Sequence, residues 1–360
     1  MYKGLDWKKG CCWLLIAIGS LSISPILFAA ADSEKFGVGF DRLELPDPMG
    51  GTMNISVWYP TKEESGTIGL GPFEFPGTWN AEPAEEIAGL VVVSHGTGGS
   101  DLGHRNLGVA LAQKGIVAVA PLFPRNNFRD NSGIGQRVVW EGRPLQLAST
   151  IHYLQSESVF KNTLGSKPVS LFGFSLGGYT VISLLTGGHD LEYFVSHCEQ
   201  QASADPVCSF DGLNIAAEMK VIFDQQYQSP LQSISSFNVC SSVLADPMMA
   251  PISDSLLKQY PDIPTLVYLP TNENQLAAKF HGDRLGQLNE NDLRKEKVTF
   301  KVVEDAQHFS FLAPFPAALA SSLPAELVSD HIDFNRTAFQ QIFAEEVSAY
   351  FANTLADCLH

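Results

Sequence analysis

The chain has 360 residues, enough for a large core within one domain that carries insertions. A formal net charge of −16 argues against nucleic acid or an anionic membrane as an electrostatic partner, and is read as serving solubility. The 45% hydrophobic content is an ordinary globular share and excludes a disordered or low-complexity chain.

Residues 1–31 read as a secretory signal. Lys3, Lys8 and Lys9 form a positive start, a mostly apolar run follows, and Ala29-Ala30-Ala31 fits a small-residue cleavage site. A signal anchor retained in the membrane is the alternative, weakened by Ser20, Ser22, Ser24 and Pro25 within the run. No later apolar stretch is long enough to span a bilayer, so the mature chain, residues 32–360, is expected to be exported to the periplasm or beyond. In that oxidising setting Cys198, Cys208, Cys240 and Cys358 are expected to form disulfides. Four cysteines allow three pairings, and the short Cys198–Cys208 loop is the first choice, which leaves Cys240 for Cys358.

Residues 36–45 and 54–59 read as an opening hairpin around a Gly/Pro turn. Residues 61–86 are Gly/Pro-rich and expected to be irregular; Phe73, Phe75 and Trp79 either pack near the mouth of a site or lie on plain surface. Residues 89–94 are continuously apolar, as a strand buried on both faces should be. They run into His95-Gly-Thr-Gly-Gly-Ser100, where dense glycine lets backbone N–H groups point at a ligand. His95 is expected to prop this loop. A short helix over 107–114 and a buried strand over 115–121 follow. Residues 125–143 read as a solvated loop whose arginines, among them Arg125 and Arg143, have contact with an anionic group as the alternative. A helix is expected over 144–154.

Pro168-Val-Ser-Leu-Phe-Gly-Phe-Ser-Leu-Gly-Gly178 reads as a strand, a sharp turn at Ser175 and a helix. Small residues flank the serine, so neighbouring backbone can pass close, and the turn lifts its hydroxyl above the sheet end. The N–H of Leu176 is then aimed at a bound acyl oxygen, and the N–H of Thr97 is assigned as the second donor. Residues 187–236 interrupt the alternation and read as a cap insertion, with a helix near 212–219. Strands are expected over 237–245, 264–269 and 298–303, then a closing helix over 336–355. Strands alternating with helices predict an α/β chain with a mostly parallel sheet and helices on both faces. Chemistry gathers at the carboxyl ends of such strands.

A serine hydroxyl needs a base to take its proton, and that base needs a carboxylate on its other ring nitrogen. Of nine histidines, His308 is the one directly after the last strand and downstream of both acid candidates. Asp246 and Glu273 follow successive strands, and either suits the acid role. With no C-x-x-C and no H-E-x-x-H, a metal site has no motif behind it.

Ser94-His95-Gly-Thr-Gly-Gly-Ser100, Gly173-Phe-Ser175-Leu-Gly-Gly178, Asp305-Ala-Gln-His308-Phe and the opening Val57-Trp-Tyr-Pro60 resemble the α/β-hydrolases. They are similar to the branch that holds platelet-activating-factor acetylhydrolases and bacterial dienelactone-hydrolase-like proteins. The resemblance runs from about residue 36 to the end of the closing helix. It implies an α/β-hydrolase domain hydrolysing carboxylic esters, as an esterase or lipase acting on phospholipid or short-chain acyl esters through an acyl-enzyme, with no metal or cofactor. In the acetylhydrolases the acid follows the strand after the serine turn, which favours Asp246 over Glu273. Dienelactone hydrolases proper use a cysteine nucleophile, where this chain has Ser175. A serine peptidase or amidase on the same triad, and a catalytically silent exported binding module, are the alternatives.

Overall fold

The computed structural model describes residues 36–210, 212–223, 237–290 and 297–358; the expected signal over 1–31 lies outside them. Strands β1 (Gly37–Pro46) and β2 (Thr52–Thr61) pair antiparallel with Phe40 opposite Trp58. The stretch expected to be irregular is partly ordered. It carries a hairpin, β3 (Thr67–Leu70) with β4 (Phe73–Pro76), and a short strand β5 (Thr78–Trp79) that runs parallel to β1. Aromatic contact orders it, since Phe40 meets Phe75 at 5.1 Å and Trp79 at 4.9 Å between ring centroids.

Strands β6 (Gly89–Ser94), β7 (Ile116–Leu122) and β8 (Val169–Phe174) are buried along their whole length, as their unbroken apolar runs require. Two-residue strands β9 (Ser209–Phe210) and β10 (Leu213–Asn214) form a separate ribbon, so helix Ile215–Phe223 starts later than expected. Strands β11 (Val239–Ala245), β12 (Thr265–Pro270) and β13 (Val298–Val303) complete the set.

Nine strands form one sheet in the order β13-β12-β11-β8-β6-β7-β2-β1-β5. Only β2 runs antiparallel to its neighbours β1 and β7. The two neighbours of β6 are β7 and β8, so the chain winds outward one way to β7 and returns on the other side to β8. Such a switch opens a crevice beyond the carboxyl ends of the strands. Helices Gly142–Ser156 and Leu176–Thr186 pack together with the core of one face. Helices Arg105–Gln113 and Arg336–Cys358 pack together with the core of the other. The four cysteines pair as Cys198–Cys208 and Cys240–Cys358, and the second bond clamps β11 to the end of the closing helix.

Candidate active site

Ser175 sits directly after β8 with φ 54° and ψ −123°, in the region that favours glycine. Three hydrogen bonds hold it there: its N–H donates to the Ala245 carbonyl, and its own carbonyl accepts from the N–H groups of Gly178 and Met248. The turn is possible because of its glycines. A Cβ on Gly177 would lie 1.9 Å from the Ser94 carbonyl oxygen, and one on Gly173 would lie 2.5 Å from the Gly177 carbonyl oxygen. The elbow is thus pressed directly against the end of β6, where the glycine loop begins.

His308 opens a turn of 3-10 helix, His308–Phe311, capped reciprocally by Gln307 and Ser310. Its Nε2 accepts from the Ser175 hydroxyl at 2.9 Å, and its Nδ1–H donates to Asp246 Oδ2 at 2.5 Å. The ring lies against Phe174 at 4.9 Å between centroids. Asp246 directly follows β11 with φ 42°, and its N–H is held by the Tyr268 carbonyl. Ser175, His308 and Asp246 therefore form one continuous hydrogen-bonded chain.

Glu273 joins the same cluster. Its Oε2 lies 3.5 Å from His308 Nδ1, while its Oε1 accepts the N–H groups of Gln275 and Leu276. The two acids that the sequence left as alternatives both face one imidazole. Asp246 is the nearer and takes the ring N–H.

Two carboxyl groups in so dry a pocket drive their ionisations apart. Burial, reinforced by the Glu273 carboxylate, pushes Asp246 up to about 7 against the pull of His308. Glu273 is also buried, but the neighbouring His308 and Asp246 outweigh that and hold it below the usual carboxylate range. Burial works against the His308 imidazolium, yet the two carboxylates raise it to about 9.

His95 props the glycine loop. Its Nδ1 donates to the Gly96 carbonyl at 2.7 Å and its Nε2 accepts from the Phe123 N–H. Burial, then the charge of Arg143, keeps it neutral, well below the ordinary histidine range.

Arg143 departs from the solvated loop expected of it. Its side chain is 0% exposed, at the start of helix Gly142–Ser156. The guanidinium donates to Asn126 Oδ1, Thr180 Oγ1 and the His95 carbonyl, and lies 3.9 Å from the Phe123 ring centroid. It ties the elbow helix to the base of the glycine loop. Burial pushes it down to about 9. Nothing in the sequence marks this arginine, because an arginine in the first turn of a helix reads as surface.

Among the described residues, two clusters bring possible metal-ligating atoms within 4.8 Å of one another. In Asp246, Glu273 and His308 the Nδ1 that would bind an ion already donates to Asp246. In His197, Asp205 and Cys208 the sulfur is bonded to Cys198 and supplies no thiolate.

A cavity of ≈ 470 Å³ opens over the serine. Gly96, Thr97, Ser175, Leu176 and His308 line its floor, and Val207, Phe210 and Ile215 wall it from the 187–236 segment. Both residues expected to offer oxyanion N–H groups, Thr97 and Leu176, thus border the space reached by the hydroxyl.

No family profile matches the chain, and no curated protein matches it in sequence. Solved structures do. A ferulic acid esterase from Streptomyces cinnamoneus superposes with a TM-score of 0.55 at 14% identity, over 92% of this chain and 93% of that one. The chain has the α/β-hydrolase fold. A cold-adapted esterase from an Arctic intertidal metagenomic library is also similar, with a TM-score of 0.46 at 12% identity over 90% of this chain and 97% of that one. Within this α/β-hydrolase sheet the chain order is Ser175 after β8, Asp246 after β11, and His308 after β13. That is the serine, acid, histidine order used by the fold.

Proposed function

We propose that this chain is an exported serine hydrolase of carboxylic esters, an esterase or lipase working through an acyl-enzyme. The observation that carries the reading is the hydrogen-bonded chain Ser175–His308–Asp246 at the floor of an open cavity. Ser175 Oγ attacks the ester carbonyl carbon as His308 Nε2 takes its proton. The carbonyl electron pair moves to oxygen, where the N–H groups of Thr97 and Leu176 receive it. When the carbonyl re-forms, the bond to the alcohol oxygen breaks and His308 returns the proton to it. Water then repeats the sequence on the acyl-enzyme, releasing the acid and restoring Ser175. Asp246 holds the ring in the Nδ1–H tautomer and stabilises the imidazolium. Glu273 acts as a second carboxylate on that imidazolium.

Export is supported by the two disulfides, which persist in oxidising compartments, and by the signal-like residues 1–31. The 187–236 segment is assigned as the cap that governs access. The resemblance to acetylhydrolases makes phospholipid and short-chain acyl esters the first substrates to try, with feruloyl esters beside them.

Hydrolysis of p-nitrophenyl acetate tests the reading. The protein is expected to turn it over, and Ser175→Ala is expected to lose at least 10³-fold in kcat while unfolding at the same temperature. Undiminished turnover in the folded variant would contradict the mechanism.

A further inference from the structure

A second cavity, of ≈ 400 Å³, lies beyond the glycine loop. It shares Gly96, Thr97, Gly98, Phe174, Phe309 and Leu327 with the cavity over Ser175, so the two adjoin across the glycine loop. Three elements add apolar side chains to its wall: Leu70 and Phe73 from the β3–β4 hairpin, Leu312 and Phe315 from the chain after His308, and Leu319 and Leu323 in and just after helix Ala317–Ala320. Apart from Leu312, these six side chains are only half-buried around the void. Half-covered apolar side chains around a concave space gain by burying an apolar group there.

Of the charged residues at the rim, Arg42, Asp101 and Arg105 are engaged with one another or with backbone and ring, while Arg129 is exposed and lies over the Phe128 ring at 5.2 Å. Asp101 is paired with Arg42 at 2.5 Å and also accepts from the hydroxyls of Ser56 and Ser100. Arg105 donates to the Pro314 carbonyl and lies over the Phe73 ring at 4.8 Å. Neither offers a strong site for a polar ligand group. The first cavity is different, because Asn131, Ser209 and Gln275 reach its lining.

We propose that the cavity beyond the glycine loop seats an apolar moiety bonded directly to the scissile ester, an alkyl chain or a single aryl ring, while the polar moiety occupies the cavity under the 187–236 segment. The substrate class is then an amphiphilic ester gripped at its centre by the glycine loop. This inference rests on Ser175 being the nucleophile of an ester hydrolase. An alkyl chain would come either from the acyl side or from the alcohol side, and the two are separable.

The test is kcat/KM along two homologous series: p-nitrophenyl esters from acetyl to dodecanoyl, and acetate esters of alcohols from methanol to dodecanol. Each buried methylene is worth about fourfold, so one series should climb about fourfold per carbon until the cavity is full. The series that climbs identifies the side that enters. Leu323→Trp fills the cavity and should cut the hexyl-to-acetyl preference of that series at least tenfold. Leu70→Trp does the same from the hairpin, an independent element, and serves if Leu323→Trp fails to fold. Flat series on both sides, or a climb unchanged in both folded tryptophan variants, overturns the proposal. Absence of hydrolysis of every ester, acetate included, removes the esterase reading itself, a different result from flat series.

Discussion

Imidazole His308 is held by a hydroxyl on one nitrogen and two carboxyl groups on the other, and its behaviour follows from that crowding. Asp246, Glu273, the Ser175 hydroxyl and the rings of Phe174 and Phe309 are the groups that face it. The imidazole must be neutral to take a proton, and it is raised to about 9, so kcat/KM should climb with pH through that range and fall away below it. Glu273→Gln removes one of the two carboxylates. The acid limb of the pH profile should move down by roughly 1 unit, with kcat retained on the plateau. Asp246→Asn should instead lower kcat by roughly 10⁴-fold, because the tautomer is no longer fixed. If Glu273 only closed its own turn through Gln275 and Leu276, its variant would lose stability and leave the limb in place. Ser175 and His308 were legible in the sequence because a glycine-flanked serine and a histidine after the last strand have few rivals. The residues by themselves left the acid open between Asp246 and Glu273, which the resemblance decided for Asp246, since a carboxyl residue follows both β11 and β12 and only three dimensions show that the two converge. Arg143 was hidden for the opposite reason: burial, which makes it an anchor, leaves no trace in residue type.

Strands and helices divide by how they are stabilised. The apolar runs of β6, β7 and β8 announced a sheet buried on both faces, and the sequence could be read there. The β3–β4 hairpin and the short helices Ala317–Ala320 and Ala325–Val328 could not be read. Each is too short for a period, and each is ordered by what it packs on. Helix Leu191–Gln201 and the turn Pro206–Cys208, within the segment assigned as a cap, are joined by the Cys198–Cys208 bond and by one acid. Asp205 Oδ2 takes Nε2–H of His197 at 2.7 Å, and Asp205 is also reached by Nε2–H of His281, whose Nδ1 accepts from the Met249 N–H. Asp205 therefore ties the cavity wall carrying Val207 and Phe210 to the body of the domain. Asp205→Ala leaves two imidazole N–H groups without their acceptor and should cost about 1–3 kcal/mol in urea unfolding. Its effect on ester hydrolysis should fall on KM more than on kcat, because the wall moves while Ser175, His308 and Asp246 stay. A drop in kcat alone would contradict that division.

At the scale of the whole molecule, the fold was legible because its alternation of strand and helix and the order of its catalytic parts agree with one architecture. The 187–236 segment was legible only as a departure from that alternation, and its described residues, 187–210 and 212–223, are held by long-range contacts such as those of Asp205. Cys240–Cys358 closes a separation of 118 residues and joins β11, which positions Asp246, to the final helix. Removing both cysteines as Cys240→Ala with Cys358→Ala should destabilise the fold by about 4–5 kcal/mol, read as a lower midpoint in guanidinium. The Cys198–Cys208 loop spans only 10 residues, so its removal should cost less. Equal losses from the two pairs would argue that the long loop is already ordered in the unfolded chain.

The most direct test of an activated Ser175 is labelling of the folded protein with a fluorophosphonate, the modified residue being located by mass spectrometry. One phosphonyl group on Ser175, lost in His308→Ala, is the result predicted. A folded protein that stays unlabelled, or that carries the label on another residue, would contradict the account.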